Sequence, residues 1–393
     1  MAVNLTTADS ALKSYYLNAV SEQLNKCVNP FYAKIKHCTE NVWGKEVRKL
    51  AITGINGGIG AGTEDGNLPT ASSNGYCELV STLKNIYGTI EISDKAIRAS
   101  ENNAGAFVNL LNSEMEGLVK SGTLNMARML FGDGTGILAT TGYINSGVID
   151  VSRAYNLFQG MIVDFFDLMG NPIEEFQGRK ILHVDKIAGK IIISGSTPTT
   201  DKVPFDSYVC LQGSHNNELT GLGAIFNTRR DTIYGLSKKD NDILNPIEVN
   251  ASGDFTIMKL QEALDAIEQN SGSQIDMMIC SLDVRRVLIK ALSANHMSIE
   301  PMELEGGFKT ISYNGIPIYA DKFCPHENLF LLNSKDFTLN QLCDWQWLED
   351  DNGRILKQKP GKPVYTATLV KYAELLCSNP SGQGRIYNIF EAN

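Results

Sequence analysis

Between Ser93 and Leu138 the apolar positions keep a helical beat. Phe107, Val108, Leu111, Met115, Leu118, Val119, Met126, Met129 and Leu130 recur at steps of three and four, which gathers them on one face. Asn102 and Asn103 suit the N-cap, and Gly132 suits the stop. A helix from Asn103 to Phe131 would be on the order of 40 Å long at the usual rise per residue. Gly117 and Gly122 lie inside it, and each weakens a helix by about 1 kcal/mol relative to Ala. Such a helix calls for an external brace, most simply a sheet packed along its face.

The remaining pattern divides around this element. In residues 1–46, Ala11, Leu12, Tyr15, Tyr16, Ala19, Val20 and Leu24 fit one helical face, and Asn29-Pro30 breaks the period. Phe31, Ile35 and Trp43 are too few for a core, so this segment reads as an arm that docks on something larger. Residues 47–92 read as a long hairpin: VRKLAIT, a Gly-rich tip from Gly54 to Gly75, and a return along YCELVSTLKNIYGTIEIS. Loops of that length are uncommon inside compact domains, and projecting strands leave open edges that a neighbouring copy would cover.

After the long helix the GDGTG stretch, Gly132 to Gly136, predicts a tight turn. Residues 143–221 then change to short β-rich runs (MIVDFFDLMG, GRKILHVDKI, GKIIISG, DSYVCLQG), which predict a small inserted barrel or sandwich. Residues 222–341 alternate helix and strand. Asp254 or Thr256 caps a helix bearing Ile257, Leu260, Leu264 and Ile267 and ending near Gly272; Ser281 precedes a second helix. Asn314-Gly315 between FKTISY and IPIYADK predicts a type I′ hairpin, and the whole reads as an α/β layer domain. Residues 342–393 return to strands, and KPVYTATLVKYAELLC is long enough to brace the helix.

Composition narrows the function. The 393 residues are 43% hydrophobic, enough for more than one core, and carry a net charge of −9. An acidic chain is poorly suited to gripping nucleic acid as its main task. The eight cysteines are scattered without a Cys-x-x-Cys pair, which favours buried free thiols in a reducing compartment over a disulfide framework. No secretory signal and no stretch of membrane-spanning length is seen, so no membrane association is expected.

The usual chemistry is missing. Neither GGIGAG (57–62) nor GDGTG fits a phosphate-binding loop, and the second follows a helix where a strand is required. There is no H-E-x-x-H and no G-x-S-x-G. His37-Cys38 and Cys324 with His326 make a weak metal pattern; Asp240-Asn241-Asp242 lacks the later ligand and glycine of a calcium loop. Glu349-Asp350-Asp351 beside Asn352-Gly353 reads as a solvated turn. Trp345 and Trp347 alternate onto one face among acids, which suits a core or subunit interface rather than base stacking. No catalytic, cofactor-binding or metal residue is expected, and a non-enzyme is favoured over an enzyme with an unfamiliar site.

Several segments, in order, resemble the major capsid proteins of tailed bacteriophages with the Hong Kong 97-type fold: YGTIEISDKAIRAS with the long helix and LFGDGTGIL, GSHNNELTGLGAIF, MELEGGFKTISYNGIPIYADKFCP, QLCDWQW and TLVKYAELLCSNP. The resemblance covers nearly the whole chain. It implies an α+β capsid fold with an N-terminal arm (1–46), an extended loop (47–92), a peripheral domain with a spine helix (93–142) and return strands (342–393), an inserted β-rich domain (143–221) and an axial domain (222–341). It further implies a virion shell protein, assembled in the bacterial host cytoplasm. Copies would join as hexamers and pentamers into an icosahedral head enclosing double-stranded DNA without sequence-specific binding.

Implied partners are the chain itself, a portal protein and, in some members, decoration proteins. No fused scaffolding segment is visible ahead of the arm, so a separate scaffolding protein is implied. One member cross-links its subunits through a loop lysine; the Gly54 to Gly75 tip has none, and Lys84 lies only on the return strand, so no covalent cross-links are expected. The alternative from the same fold is an encapsulin-like compartment holding a protein cargo.

Overall fold

The computed structural model describes residues 29–54, 56–95, 104–253, 255–294, 302–303, 309–351 and 353–390. The amphipathic segment at 11–24 and the caps at Asn102 and Asn103 lie outside them. The fold is mixed α+β, built from three hydrophobic cores.

The long helix runs Ala104–Met129, close to its expected span. It lies on a five-stranded sheet of Lys36–Cys38, Phe337–Trp347, Val364–Cys377, Lys357–Gln358 and Lys84–Ser93. The brace is therefore the expected C-terminal strand together with a strand assigned from sequence to the hairpin. The return strand of that hairpin breaks at Leu83: Gly75–Thr82 pairs with Glu46–Gly54, while Lys84–Ser93 pairs along its whole length with Val364–Cys377. The helix packs tightly over Gly88. A Cβ there would stand 2.6 Å from the Leu118 Cδ1, whereas one on Gly117 would meet nothing within 4 Å. The glycine that permits this close packing is Gly88 on the strand and not Gly117 in the helix. Met115, Met126, Met129 and Leu130 are buried in the main core with Leu369, Ala373, Trp345 and Trp347.

Asn29-Pro30 opens a new short helix, Pro30–Lys34, as well as interrupting the preceding period. The Asn29 side chain accepts from the Tyr32 N–H at 2.7 Å, and proline at the first position needs no donor. Phe31, Tyr32 and Ile35 are buried in the main core, with Phe31 edge-on to Phe337 at 5.1 Å.

The β-rich insertion is a closed six-stranded barrel, in the order Lys190–Ile193, Val148–Val151, Ile137–Asn145, Tyr208–Leu211, Ile162–Phe166, Arg179–Asp185. It starts at Ile137, not 143, because ILATTGYIN follows directly from the GDGTG turn and supplies its first strand. Leu138, Ile149, Phe165, Phe176, Ile181 and Ile191 fill its interior.

The third core lies in a seven-stranded sheet, ordered Ile247–Asn250, Gly384–Tyr387, Leu329–Leu332, Met277–Cys280, Ile316–Ala320, Lys309–Tyr313, Met302–Glu303, with helices Ile257–Ser271 and Leu282–Ala294. Thr256 caps the first helix by accepting from the Lys259 N–H, and Gly272 ends it at φ 65°. Asn314 (φ 49°) and Gly315 (φ 77°) form the expected turn. Two sequence assignments change here. Gly384–Tyr387, grouped with the peripheral return strands, pairs instead between Ile247–Asn250 and Leu329–Leu332 and buries Ile386 in this core. Phe337–Trp347 begins inside the span expected for the α/β layer but belongs to the five-stranded sheet.

Candidate assembly surface

The strand Glu46–Gly54 is apolar on both faces. Val47 and Ala51, with Leu79 across the hairpin, point into the main core. On the other face Leu50 and Ile52 are 63% and 61% exposed, and Tyr76, opposite Ile52 in register, is 55% exposed. Trp43, 69% exposed, pairs opposite Glu46 and so joins the same face. Arg48 sits among them, 3.0 Å from Glu46 and 3.6 Å from Glu78. The result is an open apolar face with an ion-paired centre.

The outer edge of Gly75–Thr82 is met only where the Val80 N–H donates to the Tyr234 carbonyl at 3.0 Å; no strand pairs with it among the described residues. The tip beyond carries exposed Ile59 and Leu68, the acidic pair Glu64-Asp65, and no lysine or arginine between Gly54 and Gly75. Sequence reasoning located this hairpin but did not single out its outer face. The signal was there: apolar residues on both alternating positions of VRKLAIT require two covers, and one fold core supplies only one.

Behind the hairpin, a strap of residues 218–223 carries the chain from the barrel back past the end of the long helix. Arg128, in the last turn of that helix, makes a two-pronged pair with Glu218, one prong at 2.8 Å, and also donates to the Asn125 side chain at 2.6 Å. Both members of the pair are buried. The Leu222 N–H donates to the Leu130 carbonyl at 2.8 Å. Gly221 passes so close that a Cβ would stand 2.5 Å from the carbonyl oxygens of Met129 and Leu130. From the other side, Glu374 accepts from the Thr220 N–H at 2.8 Å. Burial without a cationic partner pushes this carboxyl up to about 7.

A second buried ion, Lys371, reaches Asp344 at 2.5 Å and lies 5.5 Å from the centre of the Trp345 ring. Its burial lowers the ammonium from its ordinary value, and the Asp344 charge opposes that shift. Lys238 places its ammonium on the Ile225 and Asn227 carbonyls at 2.8 and 3.0 Å. These groups hold segments together.

The motifs weighed from sequence resolve into structural parts. His37 rests its ring edge-on against Tyr32, and Cys324 is buried while His326 contacts Asp283 at 3.2 Å. The two pairs are not brought together, and the described residues contain no cluster of three metal-ligating side chains. Asp242 begins a short turn that buries Leu244. In GDGTG, the Asp133 carboxylate accepts from the Thr135 N–H at 3.0 Å, and Gly134 and Gly136 take positive φ. GGIGAG lies in the hairpin tip, Asp350 accepts from the Arg354 N–H in a turn, and both tryptophans are core residues.

No protein-family model matches the chain, and no curated protein matches it in sequence. Among solved structures, a chain of the cyanophage A-1(L) capsid asymmetric unit aligns with a TM-score of 0.58 and 11% identity, over 92% of this chain and 93% of that one. The chain has the fold of a phage capsid subunit. More distant alignments include the capsid of an empty GTA particle, at TM-score 0.48 and 11% identity over 91% and 88% of the two chains. Another is the SrpI encapsulin of Synechococcus elongatus, at 0.47 and 10% over 93% and 91%.

Proposed function

We propose that this chain is the major capsid protein of a tailed bacteriophage, with a Hong Kong 97-type architecture. The observation that carries the reading is its alignment with a phage capsid subunit over more than nine-tenths of both chains. The hairpin Glu46–Thr82 then acts as the extended loop, the long helix with its five-stranded sheet as the peripheral domain, the seven-stranded sheet as the axial domain, and the barrel as an insertion. Copies join as hexamers and pentamers and close into an icosahedral shell around double-stranded DNA.

The open hairpin face gives this a mechanism. Covering a Leu or Ile side chain contributes about 1.5–3 kcal/mol before the costs of association. One hairpin seated on a neighbour is thus a weak contact, and closed rings of such contacts become strong through multivalency. Weak individual contacts also let a misplaced subunit leave before the shell closes. The net charge of −9 suits a container that encloses DNA without gripping its sequence. A separate scaffolding protein, a portal at one opening and decoration proteins on the outer surface complete the set of partners, and the product is the head of a virion.

The test is negative-stain microscopy of the full chain expressed with and without the scaffolding protein encoded beside it. Closed shells of uniform size in its presence are expected. A monomer under both conditions overturns the reading, and uniform shells that form around a co-encoded enzyme rather than a scaffold redirect it to a cargo compartment.

A further inference from the structure

The helices Ile257–Ser271 and Leu282–Ala294 cover the same face of the seven-stranded sheet. Met278 and Cys280 of its strand Met277–Cys280 lie in their core, while Met277 and Ile279 alternate into the main core behind. Leu260, Ala263 and Ile267 of the first helix and Val284, Leu288 and Leu292 of the second fill that shared core. Two ridges are thereby turned outward. Met258, Glu262, Asp265 and Gln269, at steps of four, three and four, form the first, with Glu268 on its flank. Leu282, Arg285, Arg286, Ile289 and Lys290 form the second, and every residue of both ridges is exposed.

The charges on these ridges are sorted by sign. The first carries three acids and no base, the second three bases and no acid. Each helix has one residue of the opposite sign, and both are engaged within their own domain. Lys259 donates to the Ala251 carbonyl at 2.8 Å; Asp283 accepts from the Glu327 N–H at 2.8 Å and lies 3.2 Å from the His326 Nδ1. None of the six ridge charges has an ion pair among the described residues. Like charges three or four positions apart weaken a helix, and alternating signs strengthen it. Sorting therefore weakens each helix and strengthens nothing within one chain. What it does is make one ridge complementary to the other.

We propose that the two ridges are a contact between copies of this chain, the acidic ridge of one copy seated on the basic ridge of the next. Two acidic or two basic ridges repel, so only the unlike pairing forms. Its symmetry rests on the shell-forming reading: placed head to tail, each copy gives one ridge and receives one, and identical contacts close a ring. Met258, Leu282 and Ile289 supply exposed apolar surface to bury among the charges. The contact is separate from the open hairpin face. Its charges fix partner and register more than they add strength, and they make the contact salt-sensitive.

Charge reversal in the full chain, produced with its scaffolding protein, tests the contact. Glu262→Lys, Asp265→Lys and Glu268→Lys together make both ridges basic; Arg285→Glu, Arg286→Glu and Lys290→Glu together make both acidic. Either set should lower the yield of closed shells at least about tenfold by sedimentation and negative-stain microscopy, because three exposed attractions become repulsions. The neutral set Glu262→Gln, Asp265→Asn and Glu268→Gln, which cannot repel, should fall between these and wild type. Reversing all six charges restores the unlike pairing and should recover the shells, a rescue that a folding defect would not show. Shells at wild-type yield from either three-residue reversal, or no recovery when all six are reversed, overturn the ridge contact and leave the capsid reading standing. A wild-type chain that stays monomeric overturns both.

Discussion

Replacing Arg128 by Met tests whether the strap is held by its buried ion pair. In the folded chain Glu218 is 2% exposed and Arg128 is its only ionic partner among the described residues. Removing the guanidinium leaves a carboxylate out of water with nothing to neutralise it, and breaking such a pair costs about 3–5 kcal/mol. The same change strips the Asn125 side chain of its 2.6 Å bond. With a urea slope of about 3 kcal/mol/M, the unfolding midpoint of unassembled subunits should fall by about 1–1.7 M.

Arg128→Lys should fall between Met and wild type, because a point charge replaces the two-pronged fork. The double variant Arg128→Met, Glu218→Leu should recover most of the loss, since a well-packed apolar pair can replace a buried ion pair at little cost. The deficit of Arg128→Met should also persist at high salt, as a pair shielded from solvent is weakly screened. Urea melts followed by fluorescence, repeated at low and high salt, measure all of this. A loss under about 1 kcal/mol for Arg128→Met, or a double variant as unstable as the sum of its singles, would refute the view that the pair is buried and coupled.

Other consequences follow from separate parts of the fold. Leu50→Asp with Ile52→Asp should leave subunit melting within about 0.5 kcal/mol of wild type, the usual range for surface changes, while abolishing shells by microscopy. Gly221→Ala should destabilise by about 3 kcal/mol or more, the upper end of overpacking costs, because its Cβ would press on the backbone carbonyls of Met129, Leu130 and Gly132, and a lowered urea midpoint or outright loss of soluble folded protein reads it. Glu374 makes stability fall as pH rises. Below its unfolded value of 4.5 both states hold the proton and the group contributes nothing. Between there and about 7 the unfolded chain releases its proton first, and stability declines by about 1.4 kcal/mol per pH unit, to about 3 kcal/mol in all. Urea midpoints across pH 4.5–8 should therefore show a decline in wild type that Glu374→Gln lacks.

Local signals in the sequence predicted local structure well. The three-and-four spacing marks the helix Ala104–Met129, Thr256 and Gly272 bracket Ile257–Ser271, and Asn314-Gly315 makes the hairpin turn, because each depends on residues a few positions apart. Partner choice among strands was not legible. Lys84–Ser93 and Gly384–Tyr387 have the composition of strands, but nothing in them names the sheet they join. Their partners lie far along the chain, and pairing is decided by which core each alternate face can fill. The strap was hidden for a related reason. Glu218 and Glu374 are charged residues of a kind usually found in water, and only the fold brings Arg128 to one and Thr220 to the other. The outer hairpin face lies between these cases: VRKLAIT shows a strand with two apolar faces, while nothing in it names what would cover the second.

Cryo-electron microscopy of assembled particles tests that cover most directly. The account predicts a map in which Trp43, Leu50, Ile52 and Tyr76 of each subunit are pressed against an adjacent copy, with the edge of Gly75–Thr82 sheltered by it. Closed particles in which that face stands in open solvent, or a chain that stays monomeric beside its scaffolding protein, would contradict it.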